Sequence, residues 1–471
     1  MQEIFYRDTR DRAGRAKFED VLFAGTAPGG GLWVPETYPE IAMDLARHWT
    51  YPQTATHVAF PYVQGLVSFE DLDELNHGLY TKANFGTDMV TPIDWLETNF
   101  GLLELANGQT GAFKDLPMMW VARVMDHVLR RQGRRATIIV STSGDTGGAA
   151  VSAFAGLANV DLIVLFPKGK VSSVQQRMMT TSGASNVHAF AVGGTFDDCQ
   201  AIVKALFDNR NRAFVERYRL SGVNSINWAR IVAQVVYWTS CGAQVLNRGF
   251  KYFDGVVPSG NFGNAFSLST ARGGGVPVRN IIVATNQNDV LYRTFVTGIY
   301  EQSEVKASSS PSMDIQVSSN FERQAFEDSG GVGHVIGNLW DELKKTGKCD
   351  LRFLAPASAV GWGYGRASES EVMSTIRAIN RVFKRKIDPH TAVGVAVAQH
   401  FLPKLGNSGA MVVAETARPE KFPDAMREAL WIELPLPAAW AGLDTLQEKF
   451  NEVGTDHNEV MEYITKEVAP A

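Results

Sequence analysis

Short apolar runs alternate with stretches of helical spacing through the middle of the chain. From Arg135 they read ATIIVST, GGAAVSAFAGLA, VDLIVLFP, SSVQQRMMTTSG, NVHAFAV and FDDCQAIVKALFDN, which predicts strand and helix in alternation. The strand-like runs are rich in β-branched and aliphatic residues. That is the pattern of strands buried on both faces, so the series predicts a parallel sheet with helices packed on it. The pattern resumes at FDGVVPS (253–259), passes through SGNFGN into the helical AFSLSTARG, and returns in RNIIVATN. Residues 1–95 differ, with LDELNHGLY and WTYPQTATHVAFPYVQG predicting a mostly helical lead-in. ASSSPS at 307–312 and GGVGHVIGN at 330–338 read as surface loops.

Composition narrows the classes. The 471 residues, 45% hydrophobic and 20% charged, leave room for about three domains and a large core. A formal net charge of -5, with no basic block beyond Arg130-Arg131 and Lys384-Arg385-Lys386, argues against a nucleic-acid or anionic-membrane partner. Cys199, Cys241 and Cys349 stand far apart without C-x-x-C spacing, so neither a disulfide framework nor a zinc site is expected. The first twenty residues are charged throughout, and no apolar window reaches membrane-span length, so a cytoplasmic protein is expected.

Two segments carry candidate binding chemistry. STSGDTGGAA (141–150) joins a predicted strand to a predicted helix, at the sheet edge where α/β proteins bind ligands. Its glycines admit a ligand close to the backbone, and the helix start favours an anion such as a carboxylate, although Asp145 opposes this. PSGNFGN (258–264) repeats the arrangement. Its glycines and asparagines tolerate left-handed backbone angles, which lets successive amides converge on a phosphate. Neither loop matches the dinucleotide or nucleoside-triphosphate motifs, so a phosphorylated cofactor or substrate is indicated.

The third element is Lys114 in GQTGAFKD (108–115). Asp115 and Pro117 suit the start of the helix that follows, with Asp115 expected to cap it. An amine at that position feels the positive helix end and the apolar Phe113, and both disfavour its ammonium form. A lysine near neutrality is what condensation with an aldehyde requires. One lysine, one phosphate loop and one carboxylate loop together describe a site for pyridoxal 5'-phosphate and an amino acid.

At this level the chain resembles the threonine synthase family of fold-type-II, tryptophan-synthase-β-like pyridoxal-phosphate enzymes. The likeness rests on blocks in order along nearly the whole chain: GLWVPE (31–36), AFKD (112–115), TSGDTG (142–147), NSINWARI (224–231), SGNFGN (259–264), ATNQND (284–289), SPSMDIQVSSNFER (310–323), DPHTAVG (388–394) and ETARPEKF (415–422). The fold so implied is α/β, with two doubly wound sheet domains and a mostly helical N-terminal domain. The implied boundaries are 1–95 for the N-terminal domain, 96–134 with 235–471 for a large cofactor-binding domain, and 135–234 for a small one.

The resemblance also implies roles. Lys114 matches the Schiff-base lysine, and Gly260, Asn261, Phe262, Gly263 and Asn264 match the loop that holds the cofactor phosphate. Thr416 matches the hydroxyl residue facing the pyridine nitrogen, where a carboxylate would otherwise keep the ring protonated. Ser143, Gly144, Asp145 and Thr146 match the loop beside the ring and the substrate carboxylate. Asn224, Ser225 and Arg230 match positions that receive a substrate phosphate, for which a guanidinium and neutral donors are suited. The implied reaction converts O-phospho-L-homoserine and water to L-threonine and phosphate, by a monomer or small homo-oligomer. Alternatives are a relative acting on another hydroxy or phospho amino acid, and a relative that binds pyridoxal phosphate without turnover. Gln109 and Gly111 replace the family's usual proline and larger residue, and Arg418 replaces a histidine. His390 has a structural hydrogen-bonding role as its simplest reading.

Overall fold

The computed structural model describes residues 3–354 and 361–471. β1 (Tyr6–Asp8) and β2 (Trp33–Pro35) pair as an antiparallel ribbon, after which the N-terminal segment is largely helical, with helices at Tyr51–Val63 and Phe69–Leu79. Each of these helices starts at a Thr or Ser whose hydroxyl accepts a backbone amide of the first turn, Thr50 from Gln53 and Ser68 from Asp71. β3 (Ile93–Trp95) and β4 (Phe100–Glu104) lead into the body of the molecule.

There the chain forms two sheets. β5 (Ala136–Ser141), β6 (Val160–Pro167), β7 (Val187–Val192) and β8 (Leu220–Gly222) make one all-parallel sheet, in the order β7-β6-β5-β8. β9 (Tyr252–Pro258) and β10 (Val278–Thr285) belong to the other. β11 (Ile299–Glu301) and β12 (Lys348–Asp350) form a separate antiparallel ribbon. With β13 (Trp362–Arg366) and β14 (Gly409–Glu415), the second sheet runs β13-β10-β9-β14-β4-β3, parallel except for its edge strand β3. The last strand, β15 (Asn451–Val453), crosses back and adds to β7 of the first sheet. A boundary that leaves 235–471 in one unit does not anticipate this return.

The unbroken apolar runs have a direct cause. Alternate residues of one strand enter different cores: Ile138 and Val140 of β5 face one, Ile139 the other; Val412 of β14 faces one, Met411 and Val413 the other. Both sheet faces are covered, so apolar side chains dominate both faces of these strands, and the polar ones they carry, such as Thr137, Ser141 and Glu415, are buried as well. Each fully buried aliphatic side chain contributes about 1.5–3 kcal/mol of transfer free energy.

Two expected surface loops are otherwise. Gly333–Thr346 is a helix with Gly333 and Ile336 buried, so 330–338 is largely its first turns. The segment 307–312 enters the protein, with Ser310 fully buried and Ser312 bonded to the candidate site described below. Serine and glycine density marked both as loops, but these small residues serve close packing instead.

Candidate active site

The two strand-to-helix loops named by the sequence lie at the carboxyl ends of β5 and β9, one on each sheet; Asp145 of the first touches Lys114, and Ser312, bonded to Asp145, packs against Gly260 of the second. Lys114 immediately precedes the helix Asp115–Gln132. Asp115 does not cap this helix. Its buried carboxylate turns back to accept from the Thr110 amide and hydroxyl at 2.8 and 2.6 Å, pinning the loop before the lysine. The Lys114 Nζ stands 4.8 Å from the Phe113 ring centroid and 3.3 Å from Asp145 Oδ2. Burial lowers the Lys114 pKa; Asp145 opposes this, while Lys421 and Arg230 reinforce it.

Asp145 opens the helix Asp145–Phe154 and is buried. Its Oδ1 takes Lys421 Nζ at 2.5 Å and Gln175 Nε2 at 3.0 Å, and its Oδ2 takes Lys114 and the Ser312 hydroxyl at 3.2 Å. Burial by itself would raise this carboxyl, but Lys421, Lys114 and His390 outweigh it and hold it well below the usual range. The anion of this loop is therefore internal and already neutralised. Gly144 has φ of +136°, and a Cβ there would lie 2.4 Å from the Gln175 amide carbon, so only glycine lets Gln175 reach Asp145. Thr142 Oγ1 accepts from the Gly144 and Gly147 amides, both at 2.9 Å. Among the described residues the amides of Ser143, Asp145 and Thr146 have no protein acceptor.

The loop after β9 carries no charged side chain. Phe262 has φ of +63°, and its ring packs against Phe321 and Trp362, so this residue presents its backbone to the site. Among the described residues the amides of Asn261, Phe262, Gly263 and Asn264 meet no protein acceptor. Asn264 Oδ1 accepts from Tyr237 and Trp238 at 2.7 and 3.0 Å, and among the described residues neither its Nδ2 nor the buried Ser259 hydroxyl has a partner. A Cβ on Gly260 would lie 2.9 Å from the Ser312 carbonyl. Several free donors at the N-terminus of the helix Gly263–Gly273 suit a phosphate group.

A third group lies before and within the helix Trp228–Asn247. Arg230 is 2% exposed, yet among the described residues its one acceptor is the Val223 carbonyl at 3.1 Å, and its Nε has none. Burial pushes its pKa down to about 10. Asn224 Oδ1 is buried and equally unpartnered, and Ser225 places its carbonyl beside Gly263. A buried cation without a carboxylate costs stability, and such a cost points to an anionic ligand. Thr416 follows β14; its carbonyl accepts from Phe113 N at 2.8 Å, and its amide donates to Thr391 Oγ1 at 3.3 Å.

Sequence reasoning missed three members of this cluster: Lys421, Ser312 and Gln175. Lys421 and Ser312 lay inside recognised blocks, but a lysine in a short turn and a serine in a serine run read as solvated. His390 holds structure, as expected. Its Nδ1 lies 2.8 Å from Asp388 Oδ1, and its Nε2 accepts from Ser312 N at 3.3 Å. The altered positions fit one another. A Cβ on Gly111, whose φ is +64°, would lie 2.7 Å from Trp440 and 2.9 Å from Arg418. Arg418 N donates to the Gly111 carbonyl at 2.9 Å, and Trp440 Nε1 to the Gln109 carbonyl at 2.7 Å.

Comparison with known proteins agrees along the chain. A family model described as pyridoxal-phosphate dependent enzyme matches residues 94–340, one described as threonine synthase N terminus matches 5–80, and one described as threonine synthase, C-terminal matches 391–464. A threonine synthase of Pseudomonas aeruginosa is 38% identical over 98% of each chain. The crystal structure of threonine synthase from Brucella melitensis with pyridoxal phosphate bound superposes with a TM-score of 0.92 at 40% identity, covering 98% of this chain and 99% of that one. That of the yeast enzyme superposes at 0.91 with 32% identity over 98% of each.

Proposed function

The chain belongs to the threonine synthase family of pyridoxal-phosphate-dependent lyases, and from that premise we propose that it converts O-phospho-L-homoserine and water to L-threonine and phosphate. The observation that carries this substrate is Arg230, a buried guanidinium whose Nε has no acceptor and which acts electrostatically on Lys114. Together with the charge-free loop at 260–264, it supports two anion sites flanking one amine. A cofactor phosphate and a substrate phosphate require two; a substrate without phosphate needs one.

The residues present fit pyridoxal 5'-phosphate. The unpartnered amides and Asn264 Nδ2 would hold its phosphate, Lys114 would carry it, and the Thr416 hydroxyl would face its ring nitrogen. When bound, the cofactor supplies an electron sink for charge that develops on the substrate carbons. Lys114 is the base placed to take the proton from Cα and to serve the proton changes at Cβ. Its lowered pKa suits a base working near neutrality. Arg230, Asn224 and Ser225 bind the substrate phosphate, and the guanidinium stabilises the dianion as it leaves Cγ. The amides of Ser143 and Thr146 receive the substrate carboxylate, since Asp145 is occupied by its own lysines.

The same reading takes the protein as cytoplasmic; among the described residues no helix is long and apolar enough to cross a membrane. It also takes 451–471 with the small domain. Phosphate release measured on phosphohomoserine, homoserine and phosphoserine tests the assignment. Phosphohomoserine should be strongly preferred, and a preference for phosphoserine overturns it.

A further inference from the structure

Two lysines share one carboxylate. Lys421 lies in the turn Pro419–Lys421 with its side chain wholly buried, and its Nζ is 2.5 Å from Asp145 Oδ1. Lys114 has the longer contact, 3.3 Å to the other oxygen, which it shares with Ser312. Among the described residues Asp145 is the one carboxylate within ion-pair distance of either amine, and Asp115 acts on Lys421 only at longer range; one such charge cannot fully neutralise two largely buried ammonium groups, so one of the two amines is favoured in its neutral form. The shorter contact makes Lys421 the partner of the carboxylate.

We propose that Lys421 is a positioning residue for Lys114: by taking the charge of Asp145 it leaves the Lys114 amine without a full counter-ion, ready to condense with an aldehyde. This rests on the reading of Lys114 as the lysine that carries the cofactor. The groups facing Lys114 come from separate elements: Asp145 from the helix after β5, Lys421 from the turn after β14, and Arg230 from the helix Trp228–Asn247. His390, from the helix Pro389–Phe401, acts on Asp145, and Asp115, next to Lys114 in the chain, acts on Lys421. Removing the Lys421 charge leaves Asp145 to Lys114 alone, which favours the ammonium of Lys114.

The readout is covalent capture of pyridoxal 5'-phosphate by apoprotein, in which the neutral amine and the aldehyde join with loss of water. Its rate is followed by near-visible absorbance across pH and checked by mass after borohydride trapping. Lys421→Met should move the midpoint of the rate profile alkaline by about one pH unit, a roughly tenfold slower capture near neutrality. Lys421→Arg, which restores the charge, should return the midpoint toward that of the parent. An unshifted midpoint in Lys421→Met, whatever its melting temperature, overturns the proposal. Should that variant not fold, Lys421→Gln puts the same question, because its amide can hold Asp145 without the charge; an unshifted midpoint there overturns it equally. Lys114→Ala separates the premise from the proposal. Covalent capture persisting in it refutes the reading of Lys114, not the role of Lys421.

Discussion

Asp145 and Glu415 are both buried, both stand at the carboxyl end of a sheet strand, and both touch cations, yet their protons behave oppositely. Asp145 is held well below the usual carboxylate range. Glu415 is pushed up to about 8 by burial, against the pull of Arg385 and with the push of Glu104 and Asp388. Burial is common to both, so it does not decide. The ratio of charges does: two lysines meet Asp145, whereas Arg385 is divided among Glu415, Glu104 and Asp94 at 2.7, 3.0 and 3.2 Å. A surplus of cations around one carboxylate leaves an amine to be neutralised. A surplus of carboxylates around one guanidinium leaves a proton to be shared.

The strongest way to break this contrast is to remove the reactive member of the cationic side. Lys114→Ala leaves Asp145 paired with Lys421, so the fold and the phosphate loop should survive. Turnover should fall by roughly 10²- to 10⁴-fold for the lost base alone, and further for the lost covalent anchor. Threonine formation by the purified variant is the check, and substantial activity would sink the role given to Lys114. Asp145→Asn acts on the other partner. It strands the wholly buried Lys421 without its close ion-pair partner, leaving only the more distant Asp115 to act on it, and breaking a buried pair in this way costs about 3–5 kcal/mol. The melting temperature should drop sharply, whereas Glu415→Gln, which removes one of three competing acids, should bring no such drop at neutral pH.

How far these regions were legible beforehand differs for a physical reason. The strands, the helices between them, Lys114 and both loops follow from local pattern, because apolar runs and glycine-rich strand ends are properties of neighbouring residues. The charge cluster is not local. Asp145, Gln175, Ser312 and Lys421 come from four separate segments, and no spacing rule connects them. Asp115 shows the limit even at close range: its position before Pro117 reads as a cap, but a buried Thr110 five residues back offers two donors and wins. The same holds for β15, whose three residues carry no signal of the sheet they join.

Arg230→Ala sharpens the contrast from a third position, a buried cation that meets no carboxylate among the described residues. Phosphohomoserine binding should weaken by about 1.5–3 kcal/mol, the worth of a hydrogen bond to a charged group, while the absorbance of bound cofactor stays as it was. Titration of the cofactor band with substrate reads both at once. Loss of the band instead of substrate affinity would reassign Arg230 to the cofactor.

The most gradual effect concerns Glu415 and pH. Its carboxyl ordinarily titrates at 4.5 and here at about 8, so the folded protein holds this proton more tightly than the unfolded chain. The stabilisation from that proton is complete below the ordinary value and is lost as pH rises through the folded one. Stability should therefore decline between those two values, with a slope of at most about 1.4 kcal/mol per pH unit for one proton. Asp145 contributes in the opposite sense: its stabilisation is present above the ordinary 3.8 and is lost only as pH falls through its lower folded value, so it leaves this window undisturbed. Glu415→Gln cannot ionise, and its melting temperature from about pH 5 to about pH 8 should fall less than that of the parent. Equal slopes in the two proteins would mean that Arg385 suffices for all three acids, and the contrast between a cation-rich and an acid-rich carboxylate would then not govern their protons.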